Sequence, residues 1–211
     1  MLETTLSSFA AVPLQHGVIT SLLTEYRRPN DKIAEWLAKG VLIPVRRGLY
    51  VVGPEWRKGR LELSLVANHL YGPSCVSLDY ALAKHGLIPE RVFEITSVTT
   101  RRSRLLETPI GRFSYTKVPT ELYAVGMNIE HNTDGVSFLM AGPEKALCDK
   151  VLLTRNLSIA GRSSMQTFLF DDLRIDPDAL AEFDLSVVEA YAASGHKPRQ
   201  LNALLRTLES M

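Results

Sequence analysis

The sequence predicts an α+β fold, with an N-terminal winged helix-turn-helix followed by an α+β domain whose small antiparallel sheet is packed by helices. Three patterns indicate this fold. The first sixty residues form short helical segments that end in a hairpin, residues 92–140 alternate and are rich in β-branched side chains, and the last fifty residues are mostly amphipathic helix. We predict an N-terminal domain of residues 1–58 and a C-terminal domain of residues 59–211.

In the first domain, start and stop signals define the elements. The pattern predicts helices over Leu2–Ala11, Ile19–Tyr26 and residues 30–39, and strands over Val41–Val45 and Gly48–Val52.

The helix of residues 30–39 has the clearest signals. Asp31 falls in its first turn and Gly40 suits a left-handed C-cap. Ile33, Trp36 and Leu37 form an apolar stripe that we expect to face inward.

In the second domain, turn residues separate longer helices from alternating segments. The predicted elements are helices over Leu61–Tyr71 and Leu78–His85, strands over residues 92–100 and 112–118, hairpin strands over Asn128–His131 and Val136–Met140, a helix that begins after Gly142, and mostly helix over residues 165–211.

Composition argues against a membrane or secreted protein. Of the 211 residues, 45% are hydrophobic and 22% charged, and no apolar run reaches the ~18 residues that a membrane span requires. The N-terminus has no basic segment followed by an apolar core, so we expect no signal peptide. Cys75 and Cys148 are compatible with one disulfide, but a cytosolic protein favours buried, reduced thiols.

Charge is distributed unevenly along the chain. Residues 1–60 carry nine lysines and arginines against five acids, whereas residues 61–150 carry nine against ten and residues 151–211 carry six against eight. The N-terminal third is therefore the part best suited to meet phosphate.

The predicted wing and recognition helix supply candidate DNA contacts. An α-helix fits the major groove, and a basic hairpin tip reaches phosphates or the minor groove beside it. Small winged modules also bind proteins, and Glu35 opposes phosphate, although it can accept a hydrogen bond from cytosine. The candidate DNA-binding residues are Arg27, Arg28, Asn30, Lys32, Lys39, Arg46, Arg47, Arg57 and Lys58.

Arg57 and Lys58 belong to the basic segment 54–60, which either extends the positive face or solvates a domain boundary. The densest basic cluster is residues 99–104, where Arg101, Arg102 and Arg104 form a candidate second patch for nucleic acid or a phosphorylated partner. Alternatively, this loop orders itself through ion pairs with Glu94 and Glu107.

Enzyme chemistry has little support. The five histidines lack ligand spacing, and no nucleophile elbow or phosphate-binding glycine loop occurs. Glu130, His131 and Asp134 suit a hairpin turn better than a metal site, and the four aspartates around Arg174 suit a solvated loop better than a cation site or a nuclease centre. We expect no enzyme, no cofactor and no metal.

Several long motifs resemble the AbiEi family of type IV toxin–antitoxin antitoxins. They are GVLIPVRRGLY at 40–50, GPSCVSLDYALAKHGLIPE at 72–90, TSVTTRRSR at 96–104, ETPIGRFSY at 107–115 and AGPEKALCD at 141–149. The resemblance covers about residues 15–155. It departs from the common pattern at Cys75, Asp79 and Gly142, where Tyr, Glu and Thr are frequent.

The resemblance implies a bacterial, cytoplasmic phage-defence protein with two roles. The N-terminal domain would bind inverted repeats in its own promoter and repress transcription, and the C-terminal domain would counter a nucleotidyltransferase-like toxin, functionally or directly. The alternative is a winged-helix transcriptional regulator without a toxin partner. A third reading, in which the winged module binds protein, also stays open.

Overall fold

The computed structural model describes residue 6 and residues 9–211. Most of the helix predicted over Leu2–Ala11 therefore lies outside the described residues. In the described part, no helix has the length and apolar character needed to cross a bilayer.

The N-terminal part combines two helices with a three-stranded antiparallel sheet. Its elements are β1 (Leu14–Gln15), α1 (His16–Leu22), α2 (Pro29–Ala38), β2 (Leu42–Arg46) and β3 (Leu49–Val52). The strands are ordered β1-β3-β2. The sequence prediction missed β1, because two residues carry no detectable alternation.

Local signals define both ends of α2. Pro29 occupies the first turn, where its missing N–H costs nothing, and Gly40 ends the helix with φ of 69°. The chain then returns so closely that a Cβ on Gly53 would lie 2.0 Å from the Gly40 carbonyl oxygen. Ile33 and Trp36 are buried, as the apolar stripe predicted.

The second part is larger and follows directly along the chain. Its elements are α3 (Leu63–Leu70), β4 (Ser74–Val76), α4 (Leu78–Lys84), β5 (Ile95–Thr99), β6 (Arg104–Thr108), β7 (Gly111–Lys117), α5 (Thr120–Tyr123), β8 (Met127–His131), β9 (Ser137–Ala141), α6 (Pro143–Leu153), α7 (Arg162–Gln166), a π-helical turn (Thr167–Asp172), a 3₁₀ turn (Pro177–Leu180), α8 (Leu185–Ala193) and α9 (Pro198–Leu208).

The larger sheet corrects the prediction of a small antiparallel one. Six strands lie in the order β6-β7-β5-β4-β9-β8, and the pairs β5–β7 and β4–β9 are parallel, so the sheet is mixed. The antiparallel prediction was wrong because it treated β4 as a helix break and β6 as a linker. The short β4 joins the two halves of the sheet.

Two apolar clusters form the core, and the β2–β3 hairpin contributes to both. Leu42 and Val52 pack with Trp36 in the smaller cluster, whereas Leu49 and Val51 belong to the larger one with α3 and the six-stranded sheet. The hairpin is therefore buried on two faces. The domain boundary near residue 58 stays a prediction.

Cys75 and Cys148 are both buried and both free. The disulfide reading is therefore wrong, and the thiols act as small apolar core residues. Burial raises the pKa of Cys75 to about 12, with a smaller effect of the charges of Lys145 and Asp149.

Candidate nucleic-acid interface

The turn between β2 and β3 presents two adjacent arginines. Arg46 and Arg47 are exposed, whereas Val45 and Leu49 on either side of them are buried. Gly48 makes the turn with φ of 76°, and its carbonyl accepts a 2.9 Å hydrogen bond from the His16 N–H. The arginine pair is thus mounted on a fixed turn.

Val45 and Leu49, which flank this turn, belong to the apolar cluster of the second part of the molecule. Burial, with the positive charge of Arg46 as a second cause, lowers the pKa of His69 at the end of α3. The Arg46 charge also acts on Tyr115, where it partly opposes the rise in pKa that burial causes. Tyr115 donates a 2.8 Å hydrogen bond to the Ala67 carbonyl, which fixes its ring against α3.

The rings of Tyr71 and Tyr115 connect α3 and β7 to the basic loop of residues 99–104. The Tyr71 and Tyr115 rings are 5.1 Å apart in an edge-to-face arrangement. The Arg104 guanidinium lies 5.3 Å from the Tyr71 ring centre, and the Tyr71 hydroxyl donates to the Arg102 carbonyl at 3.1 Å. The two rings thus connect the loop of residues 99–104 to Tyr115, which shares a buried cluster with Val45 and Leu49 of the arginine turn.

Hydrogen bonds hold the loop of residues 99–104, here called the arginine loop, in one shape. The Thr99 hydroxyl donates to the Pro73 carbonyl at 2.6 Å and accepts from the Arg101 N–H at 3.2 Å. The Ser103 hydroxyl accepts from the Lys117 N–H at 2.9 Å. A loop held this way loses little conformational freedom when it binds a ligand.

The acids expected to neutralise the arginine loop are engaged elsewhere. Arg112 lies 3.3 Å from the Glu94 carboxylate and 3.9 Å from that of Glu107. The alternative reading of self-pairing with these two acids is therefore wrong. Among the described residues, Arg101 and Arg102 are exposed and make no ion pair.

The predicted recognition helix is different, because an acid of its own pairs with its lysines. Glu35 lies 2.9 Å from the Lys32 ammonium and 2.8 Å from that of Lys39. Hydrogen bonds from Lys39 and then Lys32 lower the pKa of Glu35. Arg28 lies 3.7 Å from Asp31. Two acids thus offset two of the three positive charges on this face of α2, and one positive charge is left over.

The remaining candidates are scattered along the N-terminal part. Arg27 and Asn30 are exposed at the start of α2, Arg57 is half-buried, and Lys58 is exposed. Arg46 and Arg47 lie on the β2–β3 turn, whose flanking residues Val45 and Leu49 share the larger apolar cluster with Tyr115. No described contact joins Arg57 or Lys58 to the arginine loop.

The weaker site candidates fold as ordinary structure. Arg174 of the acidic loop binds Glu90, and Asp176 accepts a hydrogen bond from the Asp178 N–H. The Asn132 side chain closes the β8–β9 turn by accepting from two backbone N–H groups. Within the described ranges, His, Cys, Asp and Glu form no group of three or more arranged for a metal ion.

The sequence analysis missed a buried polar cluster in the second part of the molecule. Lys145 and Asp149 of α6 are fully buried and lie 3.3 Å apart. Asp149 accepts from the Ser77 hydroxyl at 2.7 Å and from the Tyr191 hydroxyl at 2.6 Å, and Lys145 donates to the Leu122 carbonyl at 3.1 Å. A lysine and an aspartate four residues apart in the apolar run PEKALCD were the available signal. Because no member is accessible, we assign the cluster to stability.

Comparisons with known proteins bear on the fold. No protein-family model matches the chain, and a search of curated proteins found no match. Among solved structures, the chain is similar to the RV2827C protein from Mycobacterium tuberculosis, with a TM-score of 0.53 and 18% sequence identity over 98% of this chain and 80% of that one. This similarity supports the α+β architecture of the whole chain.

Proposed function

We propose that residues 1–58 form a winged helix-turn-helix that binds double-stranded DNA. The order of α1, α2 and the β2–β3 hairpin, with β1 as the third strand, supports this proposal. The exposed Arg46–Arg47 pair at the hairpin turn is the observation that supports the proposal best. Guanidinium groups at such a tip suit backbone phosphates.

We further propose that the protein represses its own operon and acts as the antitoxin of a type IV system, countering a nucleotidyltransferase-like toxin. This part depends on the resemblance to the AbiEi family. The matching stretch GPSCVSL forms β4 and the start of α4, and PEKALCD forms the start of α6, so these motifs contribute to the buried cluster. The alternative is a regulator without a toxin, which has the same DNA-binding surface.

Fluorescence anisotropy on the protein's own upstream DNA and on a scrambled duplex, across a salt series, tests DNA binding. We expect preferential binding and a log–log salt slope of several units, at ~0.9 per neutralised phosphate. The double variant Arg46→Ala/Arg47→Ala should lower that slope by about one to two.

The matched control is Arg199→Ala/Arg206→Ala, which removes two charges from exposed arginines of α9. Its slope should stay at the wild-type value. Equally weak binding of the wild type to both duplexes would contradict the repressor proposal and favour the protein-binding reading. For the antitoxin role, co-expression with a nucleotidyltransferase-like gene of the same operon should restore growth, and a failure to restore it would favour the toxin-free regulator.

A further inference from the structure

We infer that the arginine loop is the second half of the DNA-binding surface, so that one duplex contacts the β2–β3 turn and the loop at the same time. This inference rests on the proposed DNA binding and assigns phosphate contacts to Arg101 and Arg102 in the second part of the chain. It also assigns Tyr71 as the residue that positions the loop.

The first argument is charge. Lys32 and Lys39 of α2 share the Glu35 carboxylate, so one of their two positive charges is offset by an acid of the same helix. Arg46, Arg101 and Arg102 are exposed, and among the described residues none of them pairs with an acid within 4.0 Å. The arginine turn and the loop are therefore the stronger electrostatic contacts for DNA.

The second argument is that the turn and the loop are supported by the same core. Arg104 faces Tyr115 across the β6–β7 pairing and lies over the ring of Tyr71. Tyr115 belongs to the same buried cluster as Val45 and Leu49, the residues that flank the arginine turn. The turn and the loop are thus mounted on one continuous core.

The third argument is rigidity. The Tyr71 hydroxyl holds the Arg102 carbonyl, and the Ser103 and Thr99 hydroxyls hold the two ends of the loop. A phosphate-binding loop held in this way keeps its guanidinium groups near the bound geometry before DNA arrives. Arginines that served only to keep the protein in solution would not need a loop held in one conformation.

The test compares Arg101→Ala/Arg102→Ala with the α9 control Arg199→Ala/Arg206→Ala in the anisotropy salt series. We expect the loop variant to lower the log–log slope by about one to two, independently of the Arg46→Ala/Arg47→Ala loss, and the control to leave it unchanged. Hydroxyl-radical footprinting of the same complexes should show the loop variant losing protection at one side of the footprint only.

Variants of Tyr71 distinguish the effect of positioning the loop from the effect of its charge. Tyr71→Phe removes the hydrogen bond to the Arg102 carbonyl but keeps the ring under Arg104, and Tyr71→Leu removes both. Neither change alters the protein's charge, so we expect Tyr71→Phe to weaken DNA binding moderately and Tyr71→Leu to weaken it further. Wild-type binding by both variants would contradict the positioning role of Tyr71. Thermal unfolding of both variants verifies that they are folded.

Two results have different meanings. If the wild type binds no DNA, the proposed function fails. If the wild type binds, the arginine-turn variant lowers the slope, and the loop variant matches the α9 control with an unchanged footprint, this inference alone is overturned.

Discussion

At the scale of single residues, the buried Lys145–Asp149 pair carries a large desolvation cost that its partners must offset. Both side chains are fully buried, and two charges are costly to remove from water unless each is paired and hydrogen-bonded. Asp149 meets that condition through Ser77 and Tyr191. Burial, and then the Asp149 carboxylate, raise the pKa of Tyr191, so its hydroxyl stays a donor.

Replacing Asp149 with Ala should therefore destabilise the protein strongly, by about 3–5 kcal/mol, because the Lys145 ammonium is left buried without its partner. Tyr191→Phe removes the donor to Asp149 and an acceptor of the Lys145 ammonium, but it leaves the ion pair in place and should cost about 1–3 kcal/mol. Urea unfolding followed by circular dichroism measures both. A loss of under 1 kcal/mol for Asp149→Ala would mean that water reaches the pair.

At the scale of elements, the charge balance of α2 determines what this helix contributes to DNA binding. Lys32 and Lys39 stand one turn to either side of Glu35, the spacing at which helical ion pairs form. Glu35→Gln should release the Lys39 ammonium toward a polyanion and remove one negative charge from this face, so DNA affinity at low salt should rise, with a steeper salt dependence.

The anisotropy series on specific and scrambled duplexes measures this effect, and Glu189→Gln on the exposed face of α8 serves as control. Unchanged affinity for Glu35→Gln on both duplexes would place α2 away from the DNA. A loss of specific binding alone would instead assign Glu35 to base recognition.

Helix α3 depends on Glu62 for its start. The Glu62 carboxylate accepts from the Ser64 N–H at 3.0 Å and lies 3.3 Å from the Lys84 ammonium. Burial pushes the pKa of Glu62 upward, but the bonds from Ser64 and the charge of Lys84 outweigh burial, and the pKa lies below its usual 4.5. The ionised form therefore stabilises the fold.

Glu62→Ala should cost about 0.5–2 kcal/mol at pH 7. Because the folded pKa is lowered, this contribution is fully present above pH 4.5 and is lost as the pH falls through the folded pKa. The difference in urea midpoint between the wild type and Glu62→Ala should be smaller in acid than at pH 7. A difference that persists below that pKa would mean that the loss is one of packing.

At the scale of the whole molecule, the β2–β3 hairpin couples the two parts. Leu49 is 2% exposed and lies in the larger apolar cluster, whereas its neighbours on β2 and β3 complete the smaller one. Trp36 and Trp56 both lie in the N-terminal part, so tryptophan fluorescence reports on that part while circular dichroism reports on the whole. We expect the two signals to change at the same urea concentration.

Leu49→Ala should shift both transitions together, by about 2–5 kcal/mol, because it removes core contacts of the second part from within the hairpin. Val18→Ala, at a side chain that is 41% exposed, is the control and should shift neither. If the fluorescence transition alone moved, the two parts would be independent folding units, and a rigid two-part DNA surface would lose its basis.

Much of the fold was predictable because its signals are local. Pro29, Asp31 and Gly40 predicted α2 to within one residue at each end, and Gly142 with Pro143 predicted the start of α6. The strands β5, β7, β8 and β9 followed from alternation or β-branched side chains. The candidate arginines at 46–47 and 101–104 were also visible directly in the chain.

The sequence by itself determined the α+β class, the approximate positions of the predicted helices and strands, the residues that carry positive charge, and the motifs that resemble a known family. Some bounds moved by several residues, since the helix predicted over Ile19–Tyr26 is His16–Leu22. Only the tertiary structure decided that β4 joins a mixed sheet, that Lys145 and Asp149 are buried together, and that Tyr71 contacts both Tyr115 and Arg104 of the arginine loop. The physical reason is the separation along the chain over which each signal acts. Caps and periodicity act within a few residues, whereas strand pairing, burial and the meeting of distant charges depend on contacts between segments tens of residues apart.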